Sequence, residues 1–272
     1  PFLCVLFPQM ALAIINHGKL VLAPLYIAAA GLPPETVGII GGLSGLGSVW
    51  FFSANSVILP SFGPVRALIF GLFLAPFGAM LLLFQQPWLI FIAAIIMGFG
   101  YAITAPAGSQ ILAAHTPKRL WGTLFSIRMA GVPVGGALAG LAGGSIASLY
   151  GWETALLVIV LPAIATGLFL IIVRGKVRDT KARVKFKFFN LFNPFNLLSP
   201  FKVLKKIPGL PLITFVSIGY ASIQGGVFTF LTTYLMTELK MPLVLAGGLY
   251  ATMQVASFAG RISVGVLADR FF

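Results

Sequence analysis

The stretch RGKVRDTKARVKFKFFNLFNPFNLLSPFKVLKK, residues 174–206, decides how the rest of the chain is read. It holds ten Lys or Arg and a single acid, Asp179. Long apolar segments lie on both sides of it. A dense positive loop between membrane spans marks the cytoplasmic side of a bilayer. The stretch therefore orients every span and divides the chain into six spans before it and two after.

The composition agrees. The chain is 59% hydrophobic and only 8% charged, whereas soluble domains carry roughly 25% charged residues. The net charge of +13 raises the question of nucleic acid. Most of that excess sits in the one loop, and no basic helix with interleaved polar faces follows it. Topology and contact with anionic lipid headgroups account for it instead. A single cysteine, Cys4, excludes an internal disulfide and a cysteine-based metal cluster. No metal site and no cofactor is expected. The first apolar segment is too long for a cleavable signal peptide and lacks a charged start.

About 20 apolar residues cross the roughly 30 Å of hydrocarbon in a bilayer. Eight segments meet that length: Phe2–Ala30, Thr36–Leu59, Val65–Phe84, Trp88–Ala113, Gly122–Leu149, Thr154–Val173, Pro208–Met236 and Leu243–Val264. With the 174–206 loop inside, the inner turns also hold Arg66, Lys118 and Arg119. The outer turns hold Glu35, Glu153, Glu238 and Lys240. Basic residues thus gather inside and most acids outside, as the positive-inside rule requires. The N-terminus is then cytoplasmic.

Ionisable groups inside spans are costly and usually functional. The first span contains Asn16, His17 and Lys19. Lys19 lies about 17 Å from the outer end of its helix, farther than a lysine snorkels. Asn16 and Lys19 are three apart and share a face, which Ala23 and Tyr26 continue. A lysine satisfied by backbone carbonyls near an outer vestibule is the alternative. Arg128 lies about 9 Å into the fifth span, so a snorkelling arginine and a binding arginine both stay open. Arg261 shares a stripe with Tyr250, Gln254 and Ser257 and is read as a gating partner for the Asp269 region. His17 is the one side chain in the spans that titrates near neutral pH. It carries a coupling proton or bonds a backbone carbonyl. No Asp or Glu lies at mid-membrane in any of the eight segments. Cations without acids favour an anionic or neutral polar solute.

Glycines cluster in the second span (Gly41, Gly42, Gly45, Gly47) and in the fifth (Gly131, Gly135, Gly136, Gly140, Gly143, Gly144). Small residues let helix backbones approach closely in lipid. Pure packing explains most of them. In the fifth span, contacts that slide or rock remain a second reading.

Four features resemble the major facilitator superfamily of secondary transporters. Six spans, a long basic loop and further spans are the first. Gly265-Val266-Leu267-Ala268-Asp269-Arg270-Phe271 resembles the family's Gly-x-Leu-Ala-Asp-Arg signature loop. Pro60-Ser61-Phe62-Gly63-Pro64-Val65-Arg66 looks like the matching loop of the first half in Gly63 and Arg66, and departs from it at Pro60 and Ser61. Gly131-Val132-Pro133-Val134-Gly135-Gly136 is similar to the Gly-Pro-x-x-Gly-Gly motif of exchangers and exporters, with Val132 in place of a glycine. The segment from His115 through Arg128 and Gly136 is similar to bacterial cyanate and small-solute carriers.

The resemblance implies an all-α polytopic membrane protein. It divides into a six-helix N-terminal half (1–173), a basic cytoplasmic linker (174–207) and a partial C-terminal half (208–272), with a twelve-span parent expected. It implies that the first, fourth, seventh and tenth helices of the parent line a central cavity. Tyr101 and Thr104, then Ser217, Tyr220 and Gln224, join Asn16, His17, Lys19 and Arg128 as candidate substrate contacts. Gly63, Arg66, Arg261, Gly265, Asp269 and Arg270 are candidate gate residues, with Asp269 latching a helix end. Gly131, Pro133, Gly135 and Gly136 form a packing motif.

The expected function is alternating-access transport of a small organic or inorganic anion across the bacterial inner membrane, by a monomer, coupled to a proton or to an exchanged anion. Export of hydrophobic compounds is the alternative, and an inactive fragment is a third. A membrane-embedded enzyme would need a clustered base, acid or metal, which two histidines, His17 and His115, on opposite sides of the bilayer do not supply. No nucleotide-binding loop is present.

Overall fold

Hydropathy with proline and glycine punctuation places the helices, and the computed structural model follows it. It describes residues 2–117, 121–176 and 207–271; of Gly122, Thr123, Lys176 and residues 264–271 it describes the backbone only. The described residues form α1 (Leu3–Val21), α2 (Ala23–Ala29), α3 (Thr36–Phe62), α4 (Pro64–Met80), α5 (Pro87–Ala102), α6 (Thr104–His115), α7 (Trp121–Tyr150), α8 (Trp152–Val173), α9 (Leu210–Thr237) and α10 (Leu243–Phe271). They contain no strand. Eight helical stretches are long and apolar enough to cross a membrane, one for each segment expected.

Two spans are broken where the sequence reading drew them continuous. The first bends at Leu22, between α1 and α2. Pro24 offers no N–H to the Leu20 carbonyl, and its ring crowds that turn. The fourth breaks at Ile103, between α5 and α6. Pro106 does the same there to the Ala102 carbonyl. Both breaks lie beside polar residues, Lys19 in one case and Tyr101 and Thr104 in the other.

Two expected loops are shorter than drawn. α3 runs on through Pro60, Ser61 and Phe62, and α4 starts at Pro64. Gly63 alone turns the chain, at φ +84°, a value that side chains with a Cβ avoid. Its candidate gating position is thus also a conformational necessity, and Arg66 beside it is exposed. At the other end, α10 continues through Phe271, so Gly265–Phe271 extends a helix instead of forming a loop. Gly265, Asp269 and Arg270 are described in backbone only, and Lys118, Arg119 and the basic stretch 177–206 lie outside the described residues.

α7 packs most extensively against α10 and α1, while α3 lies on α5, and α4 on α5 and α8. The first span is the innermost: 78% of its apolar window is buried, against 0% for the seventh. A polar side chain on α1 therefore meets other helices, whereas α9 presents Leu212, Phe215 and Ile223 outward.

Candidate functional site

The site is built on α1, whose polar residues meet neighbours instead of lipid. Lys19 is only 2% exposed. Its ammonium donates to Asn16 Oδ1 at 2.8 Å and to the Ser44 hydroxyl of α3. These are side-chain acceptors, so the backbone-carbonyl alternative for Lys19 does not hold. One turn along α3, the Ser48 hydroxyl reaches the Ser44 and Gly98 carbonyls.

Arg128, also 2% exposed, turns inward, which overturns the snorkelling alternative. Its guanidinium donates from Nη1 to Ser109 Oγ at 3.0 Å. Nη2 donates to Gln9 Oε1 at 3.0 Å, to the Thr104 carbonyl at 2.8 Å and to the Ala105 carbonyl at 3.2 Å. Nε is buried without an acceptor. The α5–α6 break brings the Thr104 and Ala105 carbonyls within reach, so the kink and the arginine belong to one arrangement. Hydrogen bonds to a charged group are worth about 1.5–3 kcal/mol each. Burying an ion costs at least several kcal/mol. Neutral acceptors offset that cost but leave the charge itself uncompensated.

Arg128 and Gln9 line a cavity of about 130 Å³ together with Ser48, Tyr101 and Thr104, and with Phe52, Met129 and Val132 as apolar wall. The Thr104 hydroxyl donates to the Tyr101 carbonyl at 2.8 Å. Tyr101 and Thr104, grouped by helical spacing, thus do share this wall. Of the three candidates on the seventh span, Ser217 is exposed, Tyr220 is 66% exposed and Gln224 is half-buried, and none lines the cavity.

His17, 3% exposed, bonds side chains and not a backbone carbonyl. Its Nδ1 lies 2.6 Å from Tyr250 Oη and 3.3 Å from Gln254 Nε2, both on α10. The Phe228 ring of α9 meets it edge-on at 5.3 Å. Arg261, one of the candidate gate residues, donates to the Met129 carbonyl of α7 at a long 3.5 Å. Pro133 has no N–H for that carbonyl, so the arginine replaces a donor the helix lacks.

The packing motif is explained by contact. A Cβ on Gly135 would stand 2.7 Å from the Met10 carbonyl oxygen of α1, and one on Gly136 would stand 2.6 Å from the Gln254 amide carbon of α10. Gly131 faces Leu6 and Met10, and Pro133 is buried.

Sequence reasoning missed Gln9, Ser44, Ser48 and Ser109. Gln9 stands seven residues before Asn16, on the same face of α1, and that spacing could have found it. Tyr250 and Gln254 were visible as a stripe, but their partner on the first span was not. Among the described residues, no group of His, Cys, Asp and Glu could hold a metal ion.

Residues 6–272 match the family model of the Major Facilitator Superfamily. No curated protein matches the sequence. Among solved structures, a peptide transporter in complex with sulfate aligns at TM-score 0.58 and 15% identity, covering 90% of this chain and 51% of that one. A bacterial homologue of the human drug peptide transporters aligns at 0.57 and 12% identity, covering 82% and 54%. At such identities the likeness speaks for the fold alone, and this chain spans about half the length of those structures.

Proposed function

Because the chain belongs to the Major Facilitator Superfamily, we propose that it works as a secondary active transporter, and not as an enzyme, and that its cargo is a small anion. The observation that carries the anion reading is the pair of buried cations. Among the described residues, Lys19 and Arg128 are held by neutral partners only, and all five acids of the chain, Glu35, Glu153, Asp179, Glu238 and Asp269, fall between the apolar segments or at their ends. An anion entering the cavity meets Arg128, which lines it, and gives its guanidinium a charged acceptor, a hydrogen bond roughly twice as strong as a neutral one. Lys19 stands one turn of α3 from that wall, through Ser44 and Ser48. The size supports a small solute: a dry cavity of about 150 Å³ holds a benzene, and this one is about 130 Å³. Substrate binding then shifts the balance between states as the spans rock about the site. The protein sits in the bacterial inner membrane with a cytoplasmic N-terminus, supported by the positive residues of 174–206, and acts as a monomer.

A thermal-shift screen against nitrate, formate, lactate, lipophilic cations and neutral sugars tests this, with Lys19→Gln and Arg128→Gln alongside. An anion at a hundred times its Kd stabilises by about 2.7 kcal/mol. That stabilisation is expected in the wild type and lost in both variants. Stabilisation by lipophilic cations alone, equal in all three proteins, would sink the anion reading and favour export of hydrophobic compounds.

A further inference from the structure

His17 stands two residues before Lys19 on α1, yet it serves a different contact. Its Nδ1 is the meeting point of Tyr250 and Gln254, both from α10. An amide nitrogen only donates. With Gln254 Nε2 facing it, Nδ1 takes the acceptor role, which is that of a neutral imidazole carrying its proton on Nε2. Gln254 is 1% exposed and is wedged between His17 and the Cα of Gly136 on α7. One side chain therefore joins α1, α7 and α10 at a single point.

Protonating Nδ1 reverses its role. Tyr250 can turn its hydroxyl and accept the new N–H, because a phenol both donates and accepts. The amide nitrogen of Gln254 cannot, so it must leave or flip. The loss falls on the contact between α10 and the α1–α7 pair, where Gly136 leaves no slack.

The charges around His17 set when this happens. Lys19 lies two residues along its own helix, and Arg261 lies seven residues beyond Gln254 on α10. On α9 it meets the neutral ring of Phe228. Tyr250 is the titratable group in direct contact. Arg128 of α7 is tied to Gln9 and α6. No carboxylate lies within any apolar segment packed against α1. A proton on His17 in the empty site therefore adds a further cation to a cluster of cations. An anion beside Lys19 removes that objection.

We propose that His17 is the coupling-proton site, and that proton and anion bind together, the proton unseating Gln254 while the anion neutralises Lys19. The transported unit is then one proton with one monovalent anion, the proton coming from bulk water on the side to which the cavity is open. This rests on the anion reading above and extends it to the coupling ion.

The test titrates the purified protein with nitrate, formate and lactate, none of which titrates across roughly pH 5 to 8, where histidine does. Affinity is expected to rise as pH falls, by up to about tenfold per pH unit for one linked proton. Calorimetry in buffers of different ionisation enthalpy should show close to one proton taken up per anion, a reading that needs no variant. His17→Gln keeps a hydrogen-bonding side chain and is expected to bind the anion with no pH dependence and no proton uptake. Wild-type binding that is independent of pH, or a pH dependence retained in His17→Gln, overturns the coupling proposal while leaving the anion reading intact. Binding of none of the anions at any pH overturns both.

Discussion

Arg128 concentrates the cost of burying charge in one residue. Four acceptors on α1 and α6 hold its guanidinium, and none of them is an anion. The fork geometry matters as much as the charge, because lysine has three donors on one atom and cannot span Ser109, Gln9 and two carbonyls together. Arg128→Lys should therefore cost about 1–3 kcal/mol of stability, seen as a lower melting temperature in detergent, while weakening anion binding less than Arg128→Gln does. Equal anion binding by the arginine and by the neutral glutamine would show that the charge is not used. The sequence disclosed this residue only as an ionisable group in an apolar segment. Whether it reached water or turned inward depended on Gln9, which is 119 positions away, and on the Thr104 and Ala105 carbonyls next to the break at Ile103. Neither is a local property of the chain.

At the scale of elements, α7 is the axis on which α1 and α10 meet. Its glycines are not equivalent. A Cβ on Gly135 would press on the backbone carbonyl of Met10, which cannot move without the helix, whereas one on Gly136 would press on the end of the Gln254 side chain. Gly135→Ala should thus destabilise by about 1–3 kcal/mol, the usual range for overpacking, in a thermal-unfolding comparison. Gly136→Ala should cost less stability and should instead disturb the His17–Gln254 contact, changing the pH dependence of anion binding. The reverse order would mean that α1 and α7 are not packed as described. The glycine pattern was legible in the sequence as close packing, but the partner each glycine faces was not. The proline breaks at Leu22 and Ile103 were equally present as Pro24 and Pro106. They were passed over because the apolar run continues through both, and hydropathy does not register a missing N–H.

For the whole molecule, the legible part was what a bilayer imposes. Eight apolar segments, their order and the positive stretch at 174–206 follow from local composition, and the helices confirm the segments. The family followed from motifs at 63–66, 131–136 and 265–271, now supported by a match over 6–272. What stayed hidden was the wiring between spans: His17 to Tyr250 is a contact across 233 positions, with no trace in either segment alone. The cavity likewise separates Tyr101, Thr104 and Arg128, which line it, from Lys19 and His17, which bond elsewhere, and from Tyr220, which faces outward. The central claim, that a small anion crosses on Lys19 and Arg128, is tested most directly by counterflow in proteoliposomes. Vesicles loaded with unlabelled nitrate, formate or lactate are diluted into the labelled anion, with wild type, Lys19→Gln and Arg128→Gln reconstituted in parallel. The account predicts transient accumulation of at least one anion by the wild type and its loss in both variants. Accumulation that survives in the variants, or none with any anion from a folded wild-type protein, would contradict it.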